Sequence, residues 1–377
     1  MKIMSVVGAR PNFMKIAPFV HELARHPREF EHCLVHTGQH YDRAMSQNFF
    51  KTLRIPRPDV DLGIGSGSHA EQVGRTMIAF EQVVRDWKPD WVVVVGDVNA
   101  TCACSITAVK EHARLAHIEA GLRSFDRTMP EEINRMVTDR LSDLLLTPDR
   151  ISDANLLREG APRKSIKRVG NIMIDTLDQH VGAASRLDIN RIITANAVDQ
   201  GQLPRHSIAA ERFAVLTLHR PSNVDEKPAL RRLVQLFSRL SCELPIVWTL
   251  HPRTRKQLEA FGLWPAVLRS RNLVLVQPLD YLDMLKLNTQ AKVMITDSGG
   301  LQEECCVLGT PCITMRDNTE RPVTLVKHGG TSRLAGNDPT RISRAFHSSL
   351  NSPRSPFRPP LWDGRTSERI VDLFTRL

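Results

Sequence analysis

The 377-residue chain has no run approaching the roughly 18 consecutive apolar residues of a membrane-spanning helix. Its start leads straight into strand-like sequence with no signal-peptide h-region, so a cytoplasmic protein without membrane attachment is expected. The seven cysteines (33, 102, 104, 242, 305, 306, 312) are odd in number, with no Cys-x-x-Cys pair and no Cys/His ligand spacing. They read as reduced core residues, which excludes a disulfide framework and a zinc module. Aromatic residues make up only 5% and no RNP or zinc-finger pattern occurs, so no nucleic-acid partner is expected despite the +10 formal charge. Neither G-x-G-x-x-G nor a Walker motif is present, which weighs against nicotinamide and P-loop nucleotide chemistry.

The remaining composition is that of a globular protein, 41% hydrophobic and 24% charged, long enough for two domains. The excess of Lys and Arg over Asp and Glu permits an electropositive cleft for a phosphorylated ligand. Short apolar runs without polar alternation at 2–7, 32–36, 91–96, 115–119 and 144–147 read as strands buried on both faces of a parallel sheet, each followed by a crossover helix. A polar segment at 178–207 interrupts the pattern, which restarts at 213–218, 245–250, 273–276, 293–296 and 312–315. Two doubly wound α/β domains are expected, at 1–180 and 205–360, followed by an irregular, proline-rich tail and a last short helix at 366–377.

In open α/β sheets ligands bind beyond the carboxyl ends of the strands, so the loops after each predicted strand hold the candidate chemistry. The first is Gly8-Ala9-Arg10-Pro11-Asn12 with Lys15, where a glycine turn, a helix N-terminus and two cations suit a phosphate; solvated basic residues are the plainer alternative. Asp97 ends an apolar strand, as a site residue or a helix N-cap would. His117, Glu119 and Arg123 crowd another strand end, and Glu131, Glu132 and Arg135 open a helix, where acids are ordinary. In the second half His219-Arg220, His251 and Asp297-Ser298-Gly299-Gly300 follow strands. The backbone of Ser298, Gly299 and Gly300 can cradle a diphosphate while Glu303 accepts from ribose hydroxyls.

Taken together, GARPNFMK, HTGQHYD, GD at 96–97, HIEAGLRS, MPEEINR, VGN at 169–171, HR at 219–220, TDSGGLQEE and RDNTERP run in order from residue 8 to 322. In these segments the chain resembles the non-hydrolysing UDP-N-acetylglucosamine 2-epimerase family. The resemblance implies a GT-B fold: two Rossmann-like domains with the substrate in an interdomain cleft, and a last helix packed on the first domain. It also implies a homodimer, a UDP-sugar substrate, and neither a metal nor a redox cofactor. Asn12 stands where the family commonly has Glu, Pro221 and Ser222 where many members have Arg-Glu, and Val323 where many have Glu.

The C2 hydrogen of an N-acetylhexosamine has no neighbouring carbonyl to acidify it, so the implied reaction first expels UDP from C1. Loss of the C2 proton then gives a 2-acetamidoglucal, and protonation of the opposite face with return of UDP completes the inversion. Such a path needs two acid/base groups and positive charge or N–H donors on the diphosphate. By resemblance, Asp97, Glu119 and Glu131 are the acid/base carboxylates and His219 assists UDP departure. Arg10, Lys15, Arg123, Arg135 and Arg321 join Ser298, Gly299, Gly300 and Glu303 in holding the substrate. Gln39, His40 and His251 match an activator site for a second UDP-sugar. Three carboxylates in one cleft repel, so at least one is expected to carry a proton near neutral pH. HTGQHYD and HPRT lie closer to branches acting on modified UDP-sugars, such as a 2,3-diacetamido uronic acid, and a GT-B glycosyltransferase remains the rival reading.

Overall fold

The computed structural model describes residues 1–38, 54–199, 201, 203 and 207–377, with backbone alone at residues 10 and 11. The chain divides into two compact units, residues 1–179 with 359–377, and residues 180–358.

The first unit holds a seven-stranded parallel sheet: β1 (Lys2–Val7), β2 (Glu31–His36), β3 (Val60–Asp61), β4 (Trp91–Val95), β5 (Arg114–Ile118), β6 (Leu144–Thr147) and β7 (Ile166–Arg168). Their order across the sheet is β3-β2-β1-β4-β5-β6-β7, every pair parallel. Central β4 reads Trp-Val-Val-Val-Val and is buried throughout, as a strand covered by helices on both faces must be. The edge strands β3 and β7 were not foreseen. They are two and three residues long and partly exposed, so neither leaves a continuous apolar run.

The second unit repeats the plan with β8 (Ala214–Leu218), β9 (Ile246–Leu250), β10 (Leu273–Val276), β11 (Val293–Thr296), β12 (Cys312–Thr314) and β13 (Ser332–Leu334), ordered β10-β9-β8-β11-β12-β13 and all parallel. One face of this sheet packs Leu216, Trp248, Leu275 and Ile295 against Phe237 and Phe346. The polar segment at 178–207 includes the end of one helix, Ile172–Ser185, and a second, Ile189–Asn196. Ile189, Ile192 and Ile193 bury the apolar face that its polar composition conceals.

The last helix, Thr366–Phe374, belongs to the first unit. Asp175 accepts from the N–H groups of Thr366 and Ser367 at 3.0 and 2.7 Å, which satisfies two of the orphan donors at that helix start. Phe374 lies 5.4 Å from Trp91 and 6.1 Å from Phe19 between ring centres. Gly170 has φ +100°, and a Cβ there would stand 2.1 Å from the carbonyl oxygen of Leu361, so the VGN glycine is where the returning tail passes. All seven cysteines are free; six are buried as expected, but Cys242 is exposed, two residues beyond the end of the helix Lys227–Leu240. Among the described residues no helix is long and apolar enough to cross a membrane.

Candidate active site

In each sheet the strand order reverses beside its first strand, between β1 and β4 and between β8 and β11, and the polar loops leave from those strands. In the first unit, Asn12 Oδ1 accepts the Ala9 N–H at 3.0 Å and its Nδ2 donates to the Val95 carbonyl at 2.9 Å. This side chain stitches the loop after β1 to the end of β4. One turn later on the helix Arg10–Leu23, Lys15 forms an ion pair with Glu119, and both side chains are less than a tenth exposed.

Glu119 has φ +70°, a left-handed conformation that costs a non-glycine residue about 1–3 kcal/mol and persists where the surroundings enforce it. Gly96, also at φ +70°, lies over the pair: a Cβ there would come within 3.2 Å of Lys15 Nζ and 3.6 Å of Glu119 Oε2. Beside it, the Asp97 carboxylate pairs with Arg135 and the Asp97 carbonyl accepts from Asn134 Nδ2 at 2.9 Å. The next helix, Asn99–Lys110, takes Val98 as its N-cap, so Asp97 is not the cap its sequence position allowed.

Arg135 also meets Glu132 Oε2 at 2.5 Å through Nη2, and Glu132 accepts the N–H groups of Ser124 and Phe125 at 3.0 and 2.9 Å. Burial pushes the Glu132 carboxyl up, and those donors outweigh it and hold it below its ordinary range. Glu131 is half-buried in the first turn of the helix Pro130–Leu141. Behind Gly96 lies His117, fully buried, with Nδ1 2.6 Å from Asp139 Oδ1 and Nε2 2.8 Å from the Gly96 carbonyl. Asp139 accepts the Gly121 N–H at 3.0 Å and pairs with Arg123 at 2.7 Å, while Arg123 grips Glu159 with two nitrogens at 2.8 and 2.6 Å. Burial raises Asp139, but His117 and Arg123 prevail and depress it.

These contacts change two expectations. Arg123 and Arg135, expected against the substrate, are each 2% exposed and are occupied by carboxylates of the protein, where they act as internal counter-ions. The repulsion expected among three carboxylates is offset, because Glu119 and Asp97 each hold a cation.

In the second unit Asp297, fully buried at the end of β11, is the centre of the cluster. It accepts the N–H groups of His219 at 2.9 Å and Arg220 at 2.8 Å, Asn223 Nδ2 at 3.0 Å, and faces His219 Nδ1 at 2.7 Å. Burial alone would raise its pKa; the His219 ring and the backbone donors outweigh burial and hold it at about 2. His251, from the loop after β9, caps its helix by accepting the Arg253 N–H at 3.2 Å, and its ring centre lies 5.4 Å from that of His219.

Ser298, Gly299 and Gly300 are half-buried at the start of the helix Gly299–Leu308, whose N-cap side chain makes no capping bond. That leaves a helix N-terminus of the kind that takes anions. A Cβ on Gly299 would fall 2.7 Å from Glu320 Oε1 and 2.8 Å from Arg321 Nη1, so any side chain there would push those two groups aside. Glu303, expected at a ribose, pairs with Arg321 at 2.8 Å; Arg321 also pairs with Glu320, which holds Arg316 at 2.6 Å. Arg10's side chain, Gln39 and His40 lie outside the described residues. Among the described residues no three His, Cys, Asp or Glu side chains gather as a metal site would require.

The residues that reading the sequence left without a role are Asp139, Glu159, Asp297 and Glu320, together with Glu132. Asp297 carried a usable signal as the first residue of DSGG, directly after an apolar strand. Asp139 lies 22 residues beyond its histidine, with no local pattern to join them.

Comparison with known proteins extends over the same loops and both units. A family model described as UDP-N-acetylglucosamine 2-epimerase matches residues 21–375. A UDP-N-acetylglucosamine 2-epimerase of Methanocaldococcus jannaschii is 38% identical over 377 residues, covering 100% of this chain and 99% of that protein. A Pseudomonas aeruginosa UDP-2,3-diacetamido-2,3-dideoxy-D-glucuronate 2-epimerase is 37% identical over 380 residues, covering 100% of both. The crystal structure of the M. jannaschii UDP-GlcNAc 2-epimerase in complex with UDP-GlcNAc and UDP matches with a TM-score of 0.90, 38% identity and full coverage of both chains. The fold is accordingly of the GT-B type. With the family model spanning nearly the whole chain and relatives above 30% identity along all of it, the chain belongs to the UDP-N-acetylglucosamine 2-epimerase family.

Proposed function

We propose that this enzyme inverts C2 of UDP-N-acetylglucosamine to give UDP-N-acetylmannosamine, by eliminating UDP and adding it back. The observation that carries the reading is full-length likeness to a structure holding UDP-GlcNAc and UDP, joined to the residue set at the carboxyl edges of the two sheets. In the proposed reaction the C1–O bond breaks with its electron pair passing to the β-phosphate, and a carboxylate takes the C2 proton to give the 2-acetamidoglucal. A proton then arrives on the opposite face and UDP returns to C1.

Asp97, Glu119 and Glu131 are the acid/base candidates. His219 assists UDP departure, while Ser298, Gly299, Gly300, Glu303 and Arg321 hold UDP. In this reading the Arg321–Glu303 pair orients the carboxylate toward the ribose. Arg10 and Lys15 supply positive charge from the first unit. Homodimerisation and a cytoplasmic location are part of the same proposal. A second reading, epimerisation of a 2,3-diacetamido uronic acid derivative, is favoured by the P. aeruginosa relative, whose identity is only one percentage point lower.

The test is proton NMR of UDP-N-acetylglucosamine with the enzyme in deuterated water. Deuterium at C2 with the manno epimer still bearing UDP supports the proposal. Exchange confined to a 3-acetamido uronic acid substrate moves it to the second reading, and exchange with no UDP-hexosamine refutes both. Glu131→Gln is expected to abolish exchange while UDP still binds.

A further inference from the structure

Both units contain a histidine whose Nδ1 faces a buried carboxylate, and the difference between the two is informative. His117 meets Asp139 at 2.6 Å, but its Nε2 is closed off by the Gly96 carbonyl and the ring is wholly buried. His219 meets Asp297 at 2.7 Å, its side chain is 36% exposed, and its Nε2 has no hydrogen-bond partner among the described residues. The first ring is a brace inside the fold; the second is presented outward.

The grip on His219 is unusually complete. One carboxylate receives its backbone N–H at Oδ2 and its ring at Oδ1, so main chain and side chain are fixed from the same point. Asn223 locks that carboxylate in turn, donating both to Asp297 and to the Met315 carbonyl at 3.0 Å each. The His251 ring bounds the imidazole at 5.4 Å. A carboxylate that accepts two backbone N–H groups and an amide has no proton to offer, so at 2.7 Å the shared hydrogen belongs to His219 Nδ1.

We propose that Asp297 is the positioning residue of the leaving-group histidine: it keeps the proton on Nδ1, so that Nε2 is the atom that donates to the departing UDP and takes the proton back. This rests on the function proposed above. When the C1–O bond breaks, its electron pair goes to the β-phosphate oxygen and the Nε2 proton follows, leaving a neutral ring that still holds Nδ1–H. On re-addition the phosphate oxygen forms the C1–O bond and returns that proton to Nε2. Asp297 changes neither charge nor partner in the cycle and stabilises the imidazolium at each end of it, as a carboxylate behind a general-acid histidine does elsewhere.

The test combines a spectroscopic and a kinetic measurement on the full-length enzyme. Long-range proton–nitrogen correlation spectra of 15N-histidine-labelled protein, assigned with His219→Asn, are expected to place the persistent proton on Nδ1. In Asp297→Asn, whose oxygen must serve the backbone donors and whose NH2 must face the ring, that proton moves to Nε2. kcat is then expected to fall at least about 100-fold with KM changed less than about threefold. Adding His219→Asn to Asp297→Asn is expected to cost little more, because the two act as one unit. A His219 ring bearing no proton on Nδ1 in the wild-type protein overturns the proposal, as does an Asp297→Asn enzyme retaining kcat within about threefold. The wild-type spectrum stands even where the variant does not fold. Absence of C2 exchange by the wild-type enzyme defeats the functional reading separately, leaving the tautomer to be decided by the spectrum.

Discussion

Lys15 and Glu119 form a pair with side chains 8% and 2% exposed, reached from two different strand ends, and Glu119 holds a left-handed backbone while doing so. Replacing Lys15 by Met keeps the apolar stem and removes the charge, leaving a carboxylate that is neither solvated nor paired. Two unit charges in contact attract by about 4 kcal/mol or more at an effective dielectric near 20. Removing one member of a buried pair costs about 3–5 kcal/mol, since the other keeps its desolvation penalty. Lys15→Met is therefore expected to lower first-unit stability by about 3–5 kcal/mol, read as a shift in the urea unfolding midpoint at constant slope. Lys15→Met/Glu119→Gln takes away both charges, so the double variant is expected to recover at least about 2 kcal/mol relative to the sum of the single changes. A single-variant loss below about 1 kcal/mol, or singles that add within about 0.5 kcal/mol, refutes the reasoning and makes the pair a solvated contact.

Three further outcomes follow from the same structure. Gly96→Ala places a methyl 3.2 Å from Lys15 Nζ and 3.4 Å from Asn12 Nδ2 on a backbone at φ +70°, so it is expected to destabilise by about 1–2 kcal/mol. It is also expected to impair C2 exchange more than UDP binding, measurable by calorimetry beside the NMR assay. Burial raises the Glu304 carboxyl to about 7, above its unfolded value, with Glu303 adding to it and the nearby polar groups of Asn288 and Tyr281 opposing. A raised carboxyl contributes no penalty below the unfolded pKa and destabilises progressively as pH climbs to the folded one. Wild-type stability is thus expected to fall by about 3 kcal/mol between pH 4.5 and 7 relative to Glu304→Gln, checked by urea unfolding of both across that range. Phe374→Ala empties a fully buried site against Trp91 and Phe19 and is expected to cost about 3–5 kcal/mol, with hydrogen exchange rising first in Thr366–Phe374.

Much was determined by the sequence alone because the information is local. Strands buried on both faces must be continuously apolar, so the runs at β1, β4, β8 and β11 announced parallel sheets, and chemistry in parallel sheets collects at the strand exits. Glycines at 96 and 299 mark places where a side chain would collide with the site, and short motifs around them carried the family likeness. The edge strands and the helices at Ile172–Ser185 and Ile189–Asn196 were not legible, since half-exposed elements dilute the apolar signal. Nor did the sequence say which charges meet. Arg123 and Arg135 look identical to substrate-binding arginines until the fold brings Asp139, Glu159, Asp97 and Glu132 against them. The same holds for Asp297, 78 residues from the histidine it orients. Ion pairing and tautomer choice depend on distance and on exclusion of water, and both are properties of the packed chain rather than of neighbours along it.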